Sequence, residues 1–125
     1  MVTQFTQPEL RQALFCGILA LVIDFGIDKE EEARCMEFLQ THWQPGYGDQ
    51  SAFYQGVFAE VQEFVVIRSQ LESKLANLIQ KLKVELSQHQ LKDLLQLMEE
   101  VVLANQVETL HEKNLLQRFH HELSL

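Results

Sequence analysis

Between Val57 and Leu125 the chain contains neither glycine nor proline. These are the two residues that most strongly interrupt regular structure, and their absence covers more than half of a 125-residue sequence. The same stretch is rich in Leu, Gln, Glu and Lys, side chains that lose little rotamer freedom in a helix. No segment alternates apolar and polar residues over the length of a strand. Val65-Val66-Ile67 is β-branched but too short to outweigh its helical surroundings. The densest turn signal is Gln44-Pro45-Gly46-Tyr47-Gly48-Asp49. These features predict an all-α fold.

Helix starts can be read from capping boxes, in which a small polar residue and a Glu or Gln three positions on satisfy each other's free backbone N–H groups. Five pairs fit: Thr6 with Glu9, Asp28 with Glu31, Ser69 with Glu72, Ser87 with Gln90, and Thr109 with Glu112. Asp49 or Ser51 could cap a sixth helix. The predicted helices span 7–25, 29–42, 51–67, 70–86, 88–105 and 109–123. The break near 67–70 is enforced by neither glycine nor proline.

The first helix is apolar all round (Leu14, Phe15, Ile18, Leu19, Leu21, Val22, Ile23, Phe25), which predicts a central, buried element. The fourth carries one stripe, Leu71, Leu75, Leu78 and Leu82, and the fifth carries Leu91, Leu94, Leu95, Met98, Val101 and Val102. Two heptads are short for a coiled coil, so these stripes are read as core. Shifting the chain by about 80 positions superimposes two helix–turn–helix units. Leu14 and Phe15 then fall on Leu94 and Leu95, and Leu21-Val22-Ile23 on Val101-Val102-Leu103. The expected architecture is a single domain, 1–125, forming a compact bundle of about six helices with this pseudo-repeat.

Eighteen acids against ten bases give a net charge of −8, and the bases do not cluster. Nucleic acid is therefore not an expected partner, because phosphate binding needs concentrated Lys and Arg. With 46% apolar and 22% charged residues the composition is that of a soluble domain. The apolar run from Ala13 to Ile23 is too short to span a bilayer. The N-terminal region, with Glu9 and Arg11, lacks the basic segment and cleavage site of a secretory signal, so the cytoplasm is the expected compartment. Cys16 and Cys35 sit in apolar helical patterns and read as buried, reduced thiols of low reactivity. The histidines, His42, His89, His111, His120 and His121, include no i, i+4 pair of the kind zinc sites use, and are expected to be solvated. There is no glycine elbow and no phosphate-binding loop. The chain is not expected to be an enzyme. A metal-dependent hydrolase is disfavoured because one carboxylate cluster without a convergent His or Lys offers no general acid.

Two segments remain for function. The first is Asp24-Phe25-Gly26-Ile27-Asp28-Lys29-Glu30-Glu31-Glu32, the turn between the first two predicted helices. Acids at the start of the second helix suit its dipole. Asp24, at the C-terminal end of the first, opposes that helix's dipole, and clustered carboxylates could hold a hard divalent cation. The spacing is not that of an EF-hand. The second segment, 43–54, holds the only Trp and both Tyr. Trp43, Tyr47 and Tyr54 are read either as partner-binding anchors or as a cap over the core.

The first of these segments resembles the TerB-like (tellurite-resistance) family, whose motif runs Ala-Asp-Gly, an aliphatic residue, then Glu-Glu. Here it reads Ile23-Asp24-Phe25-Gly26-Ile27-Asp28-Lys29-Glu30-Glu31. The family repeats the motif late in the chain after a Leu-rich helix, here Leu94 to Asn105. The similarity covers roughly residues 8–123. Phe25 replaces the family's glycine, and Ala104 or Asn105 its second Asp. The resemblance implies a helical bundle of two similar halves, in the cytoplasm or peripherally at the inner face of the membrane, with a stress-response role. It also implies a divalent cation, calcium or magnesium, at Asp24, Glu30 and Glu31. The alternative expectation is a metal-free helical adaptor or homodimer.

Overall fold

A computed structural model describes residues 5–23, 28–104 and 109–123. Among them are six α-helices and no strand: α1 (Gln7–Val22), α2 (Lys29–His42), α3 (Gln50–Val66), α4 (Arg68–Glu85), α5 (Gln88–Leu103) and α6 (Leu110–Leu123), with a single 3₁₀ turn, Pro45–Tyr47, between α2 and α3.

The helix starts follow the side-chain chemistry of the sequence. Thr6 and Glu9 form a reciprocal capping box, as do Ser87 and Gln90. Thr109 and Glu112 exchange the same two bonds, at 3.2 and 2.8 Å. Asp28 accepts from the N–H groups of Glu30 and Glu31 at 2.9 and 3.0 Å. Asp49, rather than Ser51, caps α3. The Ser69 box does not form. α4 starts two residues earlier than expected, at Arg68, and its cap, Ile67, has no side-chain bond to offer. Ile67 takes an extended conformation (φ −100°, ψ 94°) that separates α3 from α4 without glycine or proline. α1 ends at Val22, short of the expected 25, and residues 24–27 lie outside the described segments.

α1 is the centre. Ten of its sixteen residues are buried, and it packs against α5, α2 and α3 and touches α6. α1 and α5 approach closely at Gly17, where a Cβ would stand 2.6 Å from Leu97 Cδ2. The two helices run side by side in the same direction. Their first turns are joined by Gln90 Nε2 donating to Glu9 Oε1 at 2.9 Å, so α1 and α5 both stop at the far end of the bundle. At the near end the 43–49 loop folds over the start of α1, with Tyr47 Oη donating to the Phe5 carbonyl at 2.7 Å and Gln7 Nε2 to the Tyr47 carbonyl at 3.0 Å. Gly48, at φ 92°, makes the left-handed turn into α3 that a side chain would strain.

One expectation about the histidines is overturned here. His42 is not solvated. It closes α2 as a buried residue, edge-on to Phe5 (4.9 Å) and tilted against Phe38 (4.5 Å). The ring is flat and largely apolar, so it fills the gap where α2 meets the residues preceding α1.

Candidate functional site

The far end of the bundle collects the last turns of α1 and α5, the first turns of α2 and α6 and the α3–α4 junction. A groove there is lined by Ile23 at the end of α1, Arg68 and Leu71 at the start of α4, and His111 and Asn114 at the start of α6. A wider groove, about 530 Å³, lies between α2 and the last turns of α5, with Arg34, Glu99, Glu100, Leu103 and Ala104 on its walls.

The described acids near the first turn are dispersed rather than gathered. Asp24 lies outside the described residues. Asp28 spends one carboxylate oxygen on two backbone N–H groups, which is what a helix N-cap does. Glu30 is exposed, whereas Glu31, beside it, is buried. Glu32 turns to α3, where its Oε2 accepts from Tyr54 Oη at 3.0 Å. Among the described residues no group of three or more His, Cys, Asp or Glu could hold a metal ion. Calcium wants six to eight oxygens and magnesium a near-octahedral set. Of the residues assigned to a cation, the two described, Glu30 and Glu31, differ in exposure and do not form such a set.

Cys35 lies one helical turn beyond Glu31. Burial pushes its thiol far above the usual range, and the Glu32 and Glu31 carboxylates push it further. Cys16 is raised by burial alone. Both thiols are therefore held protonated and unreactive at neutral pH.

The aromatic segment divides. Trp43 stands edge-on to Tyr47 (5.4 Å) and to Phe53 (5.1 Å), and all three are partly buried against the core. Tyr54 is only 6% exposed; it stacks on Phe58 (6.1 Å) and bonds Glu32. Its hydroxyl pKa is raised, first by burial and then by Cys35 and Glu32. The structure thus brings Trp43 and Tyr47 together at the near end and leaves Tyr54 apart from them, within the α2–α3 contact.

Arg68 carried no signal in the sequence. Its Nη2 donates to the Ile23 carbonyl at 2.7 Å, the last backbone oxygen before Asp24. Arg118, on α6, is pinned by Glu122 at 2.7 Å and by exposed Glu72, and these carboxylates raise its pKa against the opposing effect of desolvation. His120 Nε2 lies 2.6 Å from Glu99 Oε1, tying α6 to α5.

Comparison with known proteins adds nothing to this geometry: no family model, no curated protein and no solved structure matches the chain.

Proposed function

We propose that the chain is a non-enzymatic helical interaction module of the TerB-like kind, docking a protein partner through the far end of its bundle. The observation that carries the reading is the placement of its exposed apolar side chains. Of the six large apolar side chains exposed among the described residues, four, Val66 and Ile67 at the α3–α4 junction, Leu103 at the end of α5 and Leu110 at the start of α6, belong to the end where α1 and α5 stop. Scattered apolar residues on a surface need no explanation, but a group rimmed by charge at one end of a domain is what a docking face looks like. The rim carries both signs of charge, Glu99, Glu100 and Arg34 beside Leu103 and Arg68 next to Ile67, so the partner segment is apolar with charged flanks.

The two-half architecture supports the same reading. α5 begins 81 positions after α1 and has its length, and α6 begins 81 positions after α2 and has its length. The capping boxes of α1 and α5 pair with each other, and buried acids, Glu31 and Glu112, occupy the same place in α2 and α6. A pseudo-repeat accounts for these coincidences, in a register one residue longer than the apolar pattern suggests. The proposal carries no divalent cation, because among the described residues no group of three or more His, Cys, Asp or Glu is gathered to hold one. It keeps the stress-response role and cytoplasmic setting that the resemblance implies. No described helix is long and apolar enough to cross a membrane.

The test is site-specific photocrosslinking in cells at Leu110, 70% exposed at the far end, beside Val84, 84% exposed near the opposite end of α4. The expected result is a discrete adduct at position 110 and none at 84. An adduct between two copies of the chain gives the homodimer form of the same reading. No adduct at 110, or the same adducts at both positions, would end it.

A further inference from the structure

Between α2 and the first turns of α3 lies a cleft of about 410 Å³, a size in the range of small-ligand sites. Two chemistries meet in its lining. Leu39 and Tyr54 are buried and form an apolar floor, and Met36, 44% exposed, adds a soft, polarizable thioether. Glu32 brings the one charged side chain of the lining; the remaining groups are neutral amides and a hydroxyl. We infer that this cleft is a binding site for a small organic ammonium ion with an aliphatic body.

Glu32 is half-buried, and a carboxylate drawn out of water without a counter-charge is costly. Among the described residues no base forms an ion pair with it. Its hydrogen bond comes from Tyr54 Oη, at 3.0 Å to Oε2. Burial first, then Cys35 and Glu32, raise the Tyr54 pKa, so this hydroxyl remains a donor. It fixes the direction of the carboxylate and brings no positive charge. An ammonium ion supplies that charge through N–H donors, while its methylene groups leave water against Leu39, Met36 and Tyr54. A bare metal ion fits less well. Hard cations need several oxygens, and no group of three or more His, Cys, Asp or Glu is gathered among the described residues. An anion fits worst. The cleft borders the start of α3, but the N–H groups of Ser51 and Ala52 already donate to Asp49 at 2.9 and 3.2 Å, and a net charge of −8 repels anions. No residue of the cleft belongs to the far-end docking face, so this inference is independent of the docking reading.

The test is a methyl-methionine NMR titration of the full chain with n-hexylammonium, 1-hexanol and hexanoate at constant ionic strength. The chain has three methionines, Met1, Met36 and Met98; Met36 lines the cleft and Met98 is fully buried in the core. Hexylammonium is expected to move the Met36 methyl resonance saturably and to leave that of Met98 in place, with hexanol and hexanoate binding at least about tenfold more weakly. Glu32→Gln, which keeps an acceptor for Tyr54 Oη, should weaken hexylammonium about tenfold or more, the scale of a charge-assisted hydrogen bond, and erase its advantage over hexanol. Gln55→Lys, a change at an exposed residue of the lining, should weaken it too by placing a fixed ammonium beside the site. Should Glu32→Gln fail to fold, Gln55→Lys carries the comparison. No saturable shift of Met36, equal affinity for the three probes, or hexylammonium binding unchanged in either variant would overturn the assignment.

Discussion

Gly17 shows how a single residue can take its meaning from a partner eighty positions away. By local propensity an alanine in mid-helix should stabilise by up to about 1 kcal/mol. Here its Cβ would lie 2.6 Å from Leu97 Cδ2 and 3.1 Å from Leu97 Cγ. Leu97 is itself buried, so it cannot swing aside cheaply. Overpacking of this kind costs about 1–3 kcal/mol, which outweighs the propensity gain. Gly17→Ala is therefore expected to lower stability by about 1 kcal/mol in urea unfolding, and to become neutral or stabilising in a Leu97→Ala background. Simple additivity of the two changes would refute the close-packing account. His42 teaches the same lesson. Its sequence neighbours, Thr41 and Trp43, suggest a surface loop, but Phe5 and Phe38 enclose it. Arg68 depends on Ile23, 45 positions earlier. Pairings of this range leave no trace in local patterning.

The elements were far more legible than the site. A capping box joins residues three apart, so its chemistry is complete within one turn and can be read without knowing the fold. Thr6, Asp28, Asp49, Ser87 and Thr109 accordingly mark helix starts where expected. Ser69 does not cap: the chain enters α4 two residues early, with Arg68 bonded to the Ile23 carbonyl, and Ser69 becomes an exposed residue of the first turn. The two serines should thus behave differently. Ser87→Ala should cost about 1 kcal/mol, the usual loss for an N-cap, while Ser69→Ala should stay within about 0.5 kcal/mol of the wild type. Denaturant midpoints of the two variants measure this, and equal losses would return Ser69 to the role of a cap.

At the scale of the whole molecule, stability should be graded from the centre outwards. α1 buries ten of sixteen residues, whereas α4 buries three of eighteen through the stripe Leu75, Ile79 and Leu82. Hydrogen exchange followed by mass spectrometry should find the amides of α1 and α5 protected longest and those of α4 opening sooner. An α4 as slow as α1 would mean that burial does not set the order. The sequence by itself determined that the chain is helical, where most helices begin, and that the first is the apolar centre. Those properties rest on propensity, capping and amphipathic period, all of which act within a few residues. Only the tertiary structure decided which faces meet at Gly17, that Glu32 faces Tyr54 while Glu31 is buried, and that a distant arginine stands at the end of α1. These depend on which helices become neighbours, and two patterned helices can be neighbours in several ways until close packing selects one.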